Sequence, residues 1–122
     1  MVRSLTMVSI ADDDEAVRDA LVFLLDVYGF KVRAFASGTD LLQAHENESS
    51  HCIVMDQEMH GVTGFEVLLA LRGRGDTTPV ILTGNLDSAL YAKAKALGDV
   101  TVISKPTPSA ELITVLHRMV AR

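Results

Sequence analysis

The chain has 122 residues, of which 48% are hydrophobic and 22% are charged, and this balance predicts one compact domain with a substantial apolar core. The formal net charge of −5 and the lack of a lysine or arginine run argue against direct binding to nucleic acid or to an anionic membrane. The single cysteine, Cys52, excludes an internal disulfide and is predicted to be a small buried hydrophobe. The opening MVRSLTMVSIA is too short to span a bilayer and lacks a signal-peptide pattern, so we expect a soluble cytoplasmic protein.

Apolar runs and helical repeats alternate along the chain. Short apolar runs predict strands, apolar residues three and four apart predict helices, and Gly29 marks the end of the first helix. Ser37, with Asp40 three residues later, resembles a capping box at the start of the second helix. The predicted strands cover residues 8–11, 31–35, 52–55, 79–83 and 100–104, and the predicted helices begin near residues 14, 37, 63, 86 and 108. This alternation is typical of an α/β fold with a parallel sheet covered on both faces, and residues 1–122 are predicted to form one domain.

Polar side chains follow four of the five predicted strands, at the point where each strand ends. Asp12 and Asp13 follow the first strand, and Asp56 follows the apolar run of the third. Thr83 ends the fourth strand, and Lys105 follows the fifth. Ligands of open parallel sheets bind beyond the carboxyl ends of the strands, so we expect these five side chains to converge on one rim.

The four consecutive acidic residues after the first strand need an explanation, because neighbouring carboxylates repel one another. We interpret Asp14 and Glu15 as helix N-terminal charges. Asp12 and Asp13 could also be capping residues, but together with Asp56 they offer oxygen ligands that suit Mg²⁺. A carboxylate can accept a phosphoryl group, and a cation and a lysine ammonium can stabilise the charge that spreads during the transfer. The residues therefore predict a magnesium-dependent pocket that holds an aspartyl-phosphate.

Four short motifs carry a resemblance to a known family. They are IADDDEAVR, VMDQEMHGVTGFE, VILTGN and VISKPTP. With these motifs, nearly the whole chain resembles the receiver domain of two-component response regulators. The resemblance implies a flavodoxin-like (CheY-like) doubly wound sheet of five parallel strands in the order 2-1-3-4-5, with five helices. It also implies a phosphoacceptor signalling module and not a dedicated enzyme.

The resemblance assigns a metal site and a phosphoacceptor to the predicted rim. Asp56 would accept a phosphoryl group from a partner histidine kinase or phosphotransfer protein. Asp13 would bind Mg²⁺ directly and Asp12 through water. Asp56 and the backbone carbonyl of Glu58 would be further ligands.

The resemblance also assigns the groups that contact the phosphoryl group. Thr83 would bind it and move toward it, and Lys105 would pair with one of its oxygens. The Lys105–Pro106 peptide bond is expected to be cis, and Gly64 matches the glycine of the loop before the third helix. The fourth helix, fifth strand and fifth helix would form the partner surface, including that of a homodimer. An effector or DNA-binding domain would lie outside this chain.

Two residues depart from the family pattern. His60 stands where the family usually has proline, which predicts a looser loop beside Asp56. Val102 stands where the family usually has a tyrosine or phenylalanine that turns inward on switching, so part of the usual relay is expected to be missing or replaced. Tyr91 is a substitute for that ring with no support from the sequence.

Two other functions are compatible with parts of the pattern. A degenerate receiver would bind partners without phosphate, which the intact acidic, threonine and lysine positions disfavour. A phosphatase of the haloacid-dehalogenase type would need a second aspartate two residues after its nucleophile, where Glu58 stands. It would also need a cap segment, for which the pattern of predicted elements offers no candidate.

Three histidines lack metal-ligand spacing and are predicted to lie on the surface: His45, His51 and His117.

Overall fold

The computed structural model describes residues 6–71, 78–83, 88–98, 100–105 and 109–120. Within these ranges, five strands alternate with five helices: β1 (Met7–Ala11), α1 (Glu15–Val27), β2 (Lys31–Phe35), α2 (Gly38–Asn47), β3 (Cys52–Asp56), α3 (Gly64–Leu71), β4 (Thr78–Thr83), α4 (Ser88–Ala96), β5 (Thr101–Ser104) and α5 (Ser109–Val120). The strands form one parallel sheet in the order β2-β1-β3-β4-β5. The predicted fold and strand order are confirmed. None of these helices is long and apolar enough to cross a membrane.

Successive side chains of the central strands belong to two different apolar cores, one on each face of the sheet. In β3, Cys52 and Val54 belong to the core that α1 and α5 close, and Ile53 and Met55 belong to the core of α2, α3 and α4. Both β1 and β3 are buried along their whole length. Burial on both faces explains why these strands are continuous apolar runs in the sequence, and the predicted burial of Cys52 is confirmed.

Side-chain caps define the starts of α1 and α2. Asp14 Oδ1 accepts hydrogen bonds from the backbone N–H groups of Ala16 and Val17, at 3.0 and 3.3 Å. Asp14 is thus the N-cap of α1, in agreement with its interpretation as a helix N-terminal charge. Ser37 Oγ accepts a hydrogen bond from the N–H of Asp40 at 3.1 Å, so the predicted start of α2 is correct.

The predicted boundaries agree with the structure to within a few residues. Gly29, predicted to end α1, has a φ of +89°, a left-handed conformation that glycine adopts without strain after a helix. The predicted start of the fourth helix near residue 86 falls among residues that the structure does not describe. The predicted cis bond before Pro106 and the Pro108 start of the last helix also lie outside the described residues.

One histidine predicted to lie on the surface is buried. His45 is 4% exposed, and its Nδ1 lies 3.5 Å from the backbone N–H of Ser50, which donates to it. Ser50 in turn accepts a hydrogen bond from Arg33 Nη2 at 2.9 Å. The prediction for His45 was wrong because apolar spacing alone does not reveal a polar network between α2, β2 and the segment before β3. His51 is exposed and His117 is half-buried.

Candidate functional site

The carboxyl edge of the sheet holds the residues that the sequence predicts at strand ends. Asp12 directly follows β1, Asp56 is the last residue of β3, and Thr83 is the last residue of β4. Lys105 directly follows β5. The strand order reverses at β1, which lies between β2 and β3, so a crevice opens at this point.

Three carboxylates form an acidic cluster in this crevice. Oxygen atoms of Asp12, Asp13 and Asp56 all lie within 4.8 Å of one another. Asp12 and Asp56 are buried, with exposed fractions of 1% and 7%, and Asp13 is exposed. Asp12 Oδ2 is buried and has no hydrogen-bond partner among the described residues. A buried carboxylate oxygen without a donor is costly, so the three residues fit a hard divalent cation bound through oxygen, such as Mg²⁺.

The raised pKa of Asp12 shows that its negative charge is unfavourable in this cluster. Burial raises the pKa of the Asp12 carboxyl group, and the backbone N–H of Asp14, which donates to Asp12 Oδ1 at 2.9 Å, opposes this by lowering it. The negative charges of Asp56 and Asp13 raise the pKa of Asp12 further, and the positive charge of Lys105 lowers it. The balance favours the protonated form more than in water, so a cation would relieve an unfavourable charge.

The loop after β3 is tied to the cluster through His60. The backbone N–H of His60 donates to Asp13 Oδ2 at 2.9 Å, and the His60 ring nitrogen Nδ1 lies 2.7 Å from the same oxygen. These two contacts lower the pKa of the Asp13 carboxyl group. A proline at this position has no N–H to donate, so the backbone bond depends on the departure from the family pattern. The sequence predicts a looser loop but does not reveal this attachment.

Lys105 supplies the positive charge of the site. Its Nζ lies 3.0 Å from Asp56 Oδ1 and 3.9 Å from Asp12 Oδ2. Burial lowers the pKa of Lys105, but the close contact with the Asp56 carboxylate, together with the charges of Asp12 and Glu58, raises it above its ordinary value. The N–H of Lys105 also donates to the carbonyl of Thr83 at 2.7 Å, which joins the ends of β4 and β5. The ammonium is therefore charged and held against the Asp56 carboxylate.

Thr83 contacts a side chain whose role the residue pattern does not predict. Thr83 is fully buried, and its hydroxyl donates a hydrogen bond to Glu58 Oε2 at 2.8 Å. The family resemblance predicts a role for the backbone carbonyl of Glu58 and none for its carboxylate. Its carboxylate does not belong to the cluster of Asp12, Asp13 and Asp56.

Gly64, at the start of α3, permits a close approach to the backbone that carries Asp56. A Cβ atom on Gly64 would lie 2.9 Å from the Asp56 carbonyl oxygen and 3.1 Å from Gln57 Cα. The N–H of Gly64 donates to the Gln57 carbonyl, and Gln57 Oε1 accepts from the N–H of Phe65 at 2.8 Å. The α3 terminus therefore packs directly on the end of β3 and helps to position Asp56.

A capping box at the same helix completes this loop. Thr63 Oγ1 accepts from the N–H of Glu66 at 3.1 Å, and Glu66 Oε1 accepts from the N–H of Thr63 at 2.8 Å. The Thr-x-x-Glu spacing in the sequence is the signal that predicts this cap. The box defines where the loop from the acidic cluster ends.

Most of the chain matches one known protein family. The family model for the response regulator receiver domain matches residues 8–117. The chain belongs to this family. The acidic cluster at the carboxyl edge is consistent with the cation site that receiver domains generally have.

Several characterised proteins are similar to this receiver domain. The transcriptional regulatory protein FixJ of Azorhizobium caulinodans is 36% identical over 94% of this chain and 55% of its own length. DctR of Rhodobacter capsulatus, a C4-dicarboxylate transport transcriptional regulatory protein, is 33% identical over 93% of this chain and 59% of its own. The chain thus spans a little over half the length of these relatives.

Solved structures agree with this result. Full-length FixJ from B. japonicum superposes with a TM-score of 0.85 at 32% identity, over 95% of this chain and 58% of that chain. The chemotaxis protein CheY4 of Vibrio cholerae has a TM-score of 0.86 at 26% identity, over 93% of this chain and 98% of its own. The receiver fold is therefore shared over nearly the whole chain.

The second departure of this receiver from its family lies on β5. Val102 is half-buried, pairs in register with Ile81 and packs against the core of α2, α3 and α4. Tyr91 on α4 is 45% exposed, and Lys95 Nζ lies 5.6 Å from its ring centroid. Neither observation tests whether Tyr91 replaces the ring that the family has at position 102, so its role stays a prediction.

Proposed function

We propose that Asp56 is the phosphoryl acceptor of this receiver domain. The observation that carries the proposal is the 3.0 Å contact between Lys105 Nζ and Asp56 Oδ1, beside a carboxylate cluster that fits a cation. The other two carboxylates are less suited to attack. Asp12 is 1% exposed and accepts a hydrogen bond from Asp14, and one oxygen of Asp13 already accepts from His60.

We also propose that Mg²⁺ is the cation of the site. Asp12, Asp13, Asp56 and the backbone carbonyl of Glu58 would hold it, Asp12 through water. When bound, the ion neutralises charge on the carboxylates and on the transferring phosphoryl oxygens. The buried Asp12 Oδ2, to which no group in the described part of the chain donates a hydrogen bond, supports this assignment.

The remaining site residues act on the transferred group. In the transfer, the N–P bond of a phosphohistidine breaks, an O–P bond to Asp56 forms, and the histidine leaves. Lys105 is placed to pair with a phosphoryl oxygen, because its ammonium already contacts the acceptor carboxylate. Thr83 would donate its hydroxyl to another oxygen and move toward it, which couples the chemistry to the end of β4. The product replaces a carboxylate by a group with a charge of about −1.5 to −2.

The partners follow from the family and from the relatives' names. A sensor histidine kinase or a phosphotransfer protein would supply the phosphoryl group, in the cytoplasm. Residues 1–122 would act as one receiver domain whose output passes through the surface of α4, β5 and α5, including a homodimer contact. Because FixJ and DctR are named as transcriptional regulators, an effector or DNA-binding domain outside this chain is the expected target of the switch.

Intact mass spectrometry tests the acceptor directly. The chain is incubated with Mg²⁺ and a small acyl-phosphate donor, and we expect one phosphoryl adduct that Asp56→Asn abolishes and a chelator prevents. Asp19→Asn is the matched control, because it makes the same chemical change at an exposed position on α1. An adduct that persists in Asp56→Asn would show that another residue is the acceptor and would refute the assignment.

A further inference from the structure

The side chain of Glu58 makes a contact at the site, although the family resemblance predicts a role only for its backbone carbonyl. Glu58 is exposed and lies two residues after Asp56, in the loop that follows β3. Its carboxylate nevertheless reaches the end of β4, where Oε2 accepts a hydrogen bond from the fully buried hydroxyl of Thr83 at 2.8 Å. The contact joins two residues that are 25 positions apart.

The same hydroxyl is the one that a phosphoryl group on Asp56 would use. A threonine hydroxyl has one proton, so it donates to one strong acceptor at a time. A carboxylate and a phosphoryl group are both anionic oxygen acceptors, and charge-assisted bonds to either are strong. Glu58 and the phosphoryl group are therefore alternative partners of Thr83.

The negative charge of Glu58 also opposes the binding of a phosphoryl group. Its carboxylate contributes to raising the pKa of Lys105, so it lies within the field of the ammonium that contacts Asp56. An incoming phosphoryl donor is itself anionic and would meet this additional negative charge. Both functional groups proposed to bind the phosphoryl oxygens are thus influenced by one side chain outside the cation cluster.

We propose that the Glu58 carboxylate is an intramolecular competitor of the phosphoryl group for Thr83, and that it holds this hydroxyl in the unphosphorylated arrangement. The inference rests on the proposed function, because it takes Asp56 as the acceptor and Thr83 as its contact. Glu58 is a positioning residue that opposes both adduct formation and the movement of Thr83. Phosphorylation must displace it before β4 can respond.

A titration with beryllofluoride, a trigonal anionic mimic of a phosphoryl group, tests the competition. The adduct on the 122-residue chain is followed by ¹⁹F NMR at saturating Mg²⁺. We expect Glu58→Ala to lower the half-saturating concentration by about three- to tenfold, because Thr83 no longer leaves the Glu58 carboxylate when it binds the mimic. Glu58→Gln retains a weaker, neutral acceptor and should give an intermediate value. Since Glu58 is exposed, neither substitution should prevent folding.

A double-mutant cycle separates the hydrogen bond from the effect of charge alone. In a Thr83→Val background there is no hydroxyl to release, so Glu58→Ala should improve beryllofluoride affinity only by removing a negative charge. The improvement should be at least about threefold smaller than in the original chain. Equal gains in both backgrounds would overturn the proposal, and so would no gain in either. If no beryllofluoride adduct forms on the unaltered chain, the proposed function itself fails, and this inference fails with it.

The methyl resonance of Thr83 provides a second measurement that needs no adduct on the variant. In the chain without beryllofluoride, Glu58→Ala should shift this resonance toward its position in the adduct of the unaltered chain. An unchanged resonance would mean that Glu58 does not hold Thr83 and would overturn the proposal.

Discussion

Replacing Asp12 by asparagine should stabilise the fold while weakening its cation binding. Asp12 Oδ1 accepts from the N–H of Asp14, and an asparagine oxygen can keep this bond. The second atom changes from Oδ2, which has no hydrogen-bond partner among the described residues, to an amide that can donate to Asp56. The substitution thus removes a buried charge without leaving a cavity.

The size of the effect follows from the distances in the site. At an effective dielectric near 20, a carboxylate at the 4.8 Å limit of the cluster repels Asp12 by about 3.5 kcal/mol and a closer one by more, and Lys105 Nζ at 3.9 Å attracts it by about 4 kcal/mol. Lys105 therefore offsets the repulsion from Asp56, but the repulsion from Asp13 and the burial cost remain. Because Asp13 is exposed, water screens much of its share. We expect Asp12→Asn to raise the free energy of unfolding by about 1–2 kcal/mol without a divalent cation.

Urea denaturation at neutral pH, with chelator and with Mg²⁺, measures both effects. At a Mg²⁺ concentration 100 times its dissociation constant, the free energy of unfolding of the unaltered chain should rise by about 2.7 kcal/mol. The rise should be much smaller for Asp12→Asn, and the control Asp19→Asn should behave like the unaltered chain. If Asp12→Asn is less stable than the unaltered chain in chelator, the electrostatic reasoning is wrong.

The pH dependence checks the same reasoning. The pKa of Asp12 is raised in the folded state, so the folded chain takes up a proton at a higher pH than the unfolded chain does. The penalty of the charged carboxylate is therefore fully present above the folded pKa and disappears as the pH falls through it. The advantage of Asp12→Asn should be largest at neutral pH and should decrease on acidification. An advantage independent of pH would assign the stabilisation to something other than charge.

Three further substitutions test the support of the site. Gly64→Ala puts a Cβ 2.9 Å from the Asp56 carbonyl oxygen, so it should cost about 1–3 kcal/mol in urea denaturation and slow adduct formation; unchanged kinetics would mean that α3 does not position Asp56. His60→Ala removes the ring contact with Asp13, and calorimetry should show Mg²⁺ bound roughly two- to tenfold more tightly, whereas equal affinity would mean that the ring does not compete. Thr63→Val removes the α3 capping hydroxyl and should lower the unfolding free energy by about 1 kcal/mol without changing Mg²⁺ affinity; a large loss of affinity would contradict a purely structural role.

The fold was predictable because its signals are local. The apolar run of β3 is continuous since both its faces are buried, and the spacing in α1 repeats at three and four residues. Gly29 ends α1 in the left-handed conformation that its position requires. The alternation of strands and helices then predicts a parallel sheet, whereas the strand order comes from the family resemblance. His45 was misassigned because a buried histidine bonded to Ser50 depends on contacts that local spacing does not encode.

The site was predictable to the level of strand ends and no further. A residue that follows a parallel strand must lie at the carboxyl edge, and this rule alone brings Asp12, Asp56 and Lys105 together. The path of a loop obeys no such rule. The contacts Thr83–Glu58 and His60–Asp13 join residues 25 and 47 positions apart through loop geometry, so the sequence predicts that these residues are near the site but not which atoms they bind.

The charges of the described site connect its two proposed ligands. Among the described residues, the three clustered carboxylates and Glu58 lie near the ammonium of Lys105, so this part of the site carries more negative than positive charge. A phosphoryl group adds to this excess and a divalent cation reduces it, and each should therefore bind better when the other is present. Thermodynamic linkage makes this coupling equal in both directions. On this view the charge of Glu58 strengthens the coupling, because it repels a phosphoryl group and attracts a cation. The hydrogen bond that Glu58 makes with Thr83 opposes the phosphoryl group whether or not the cation is bound.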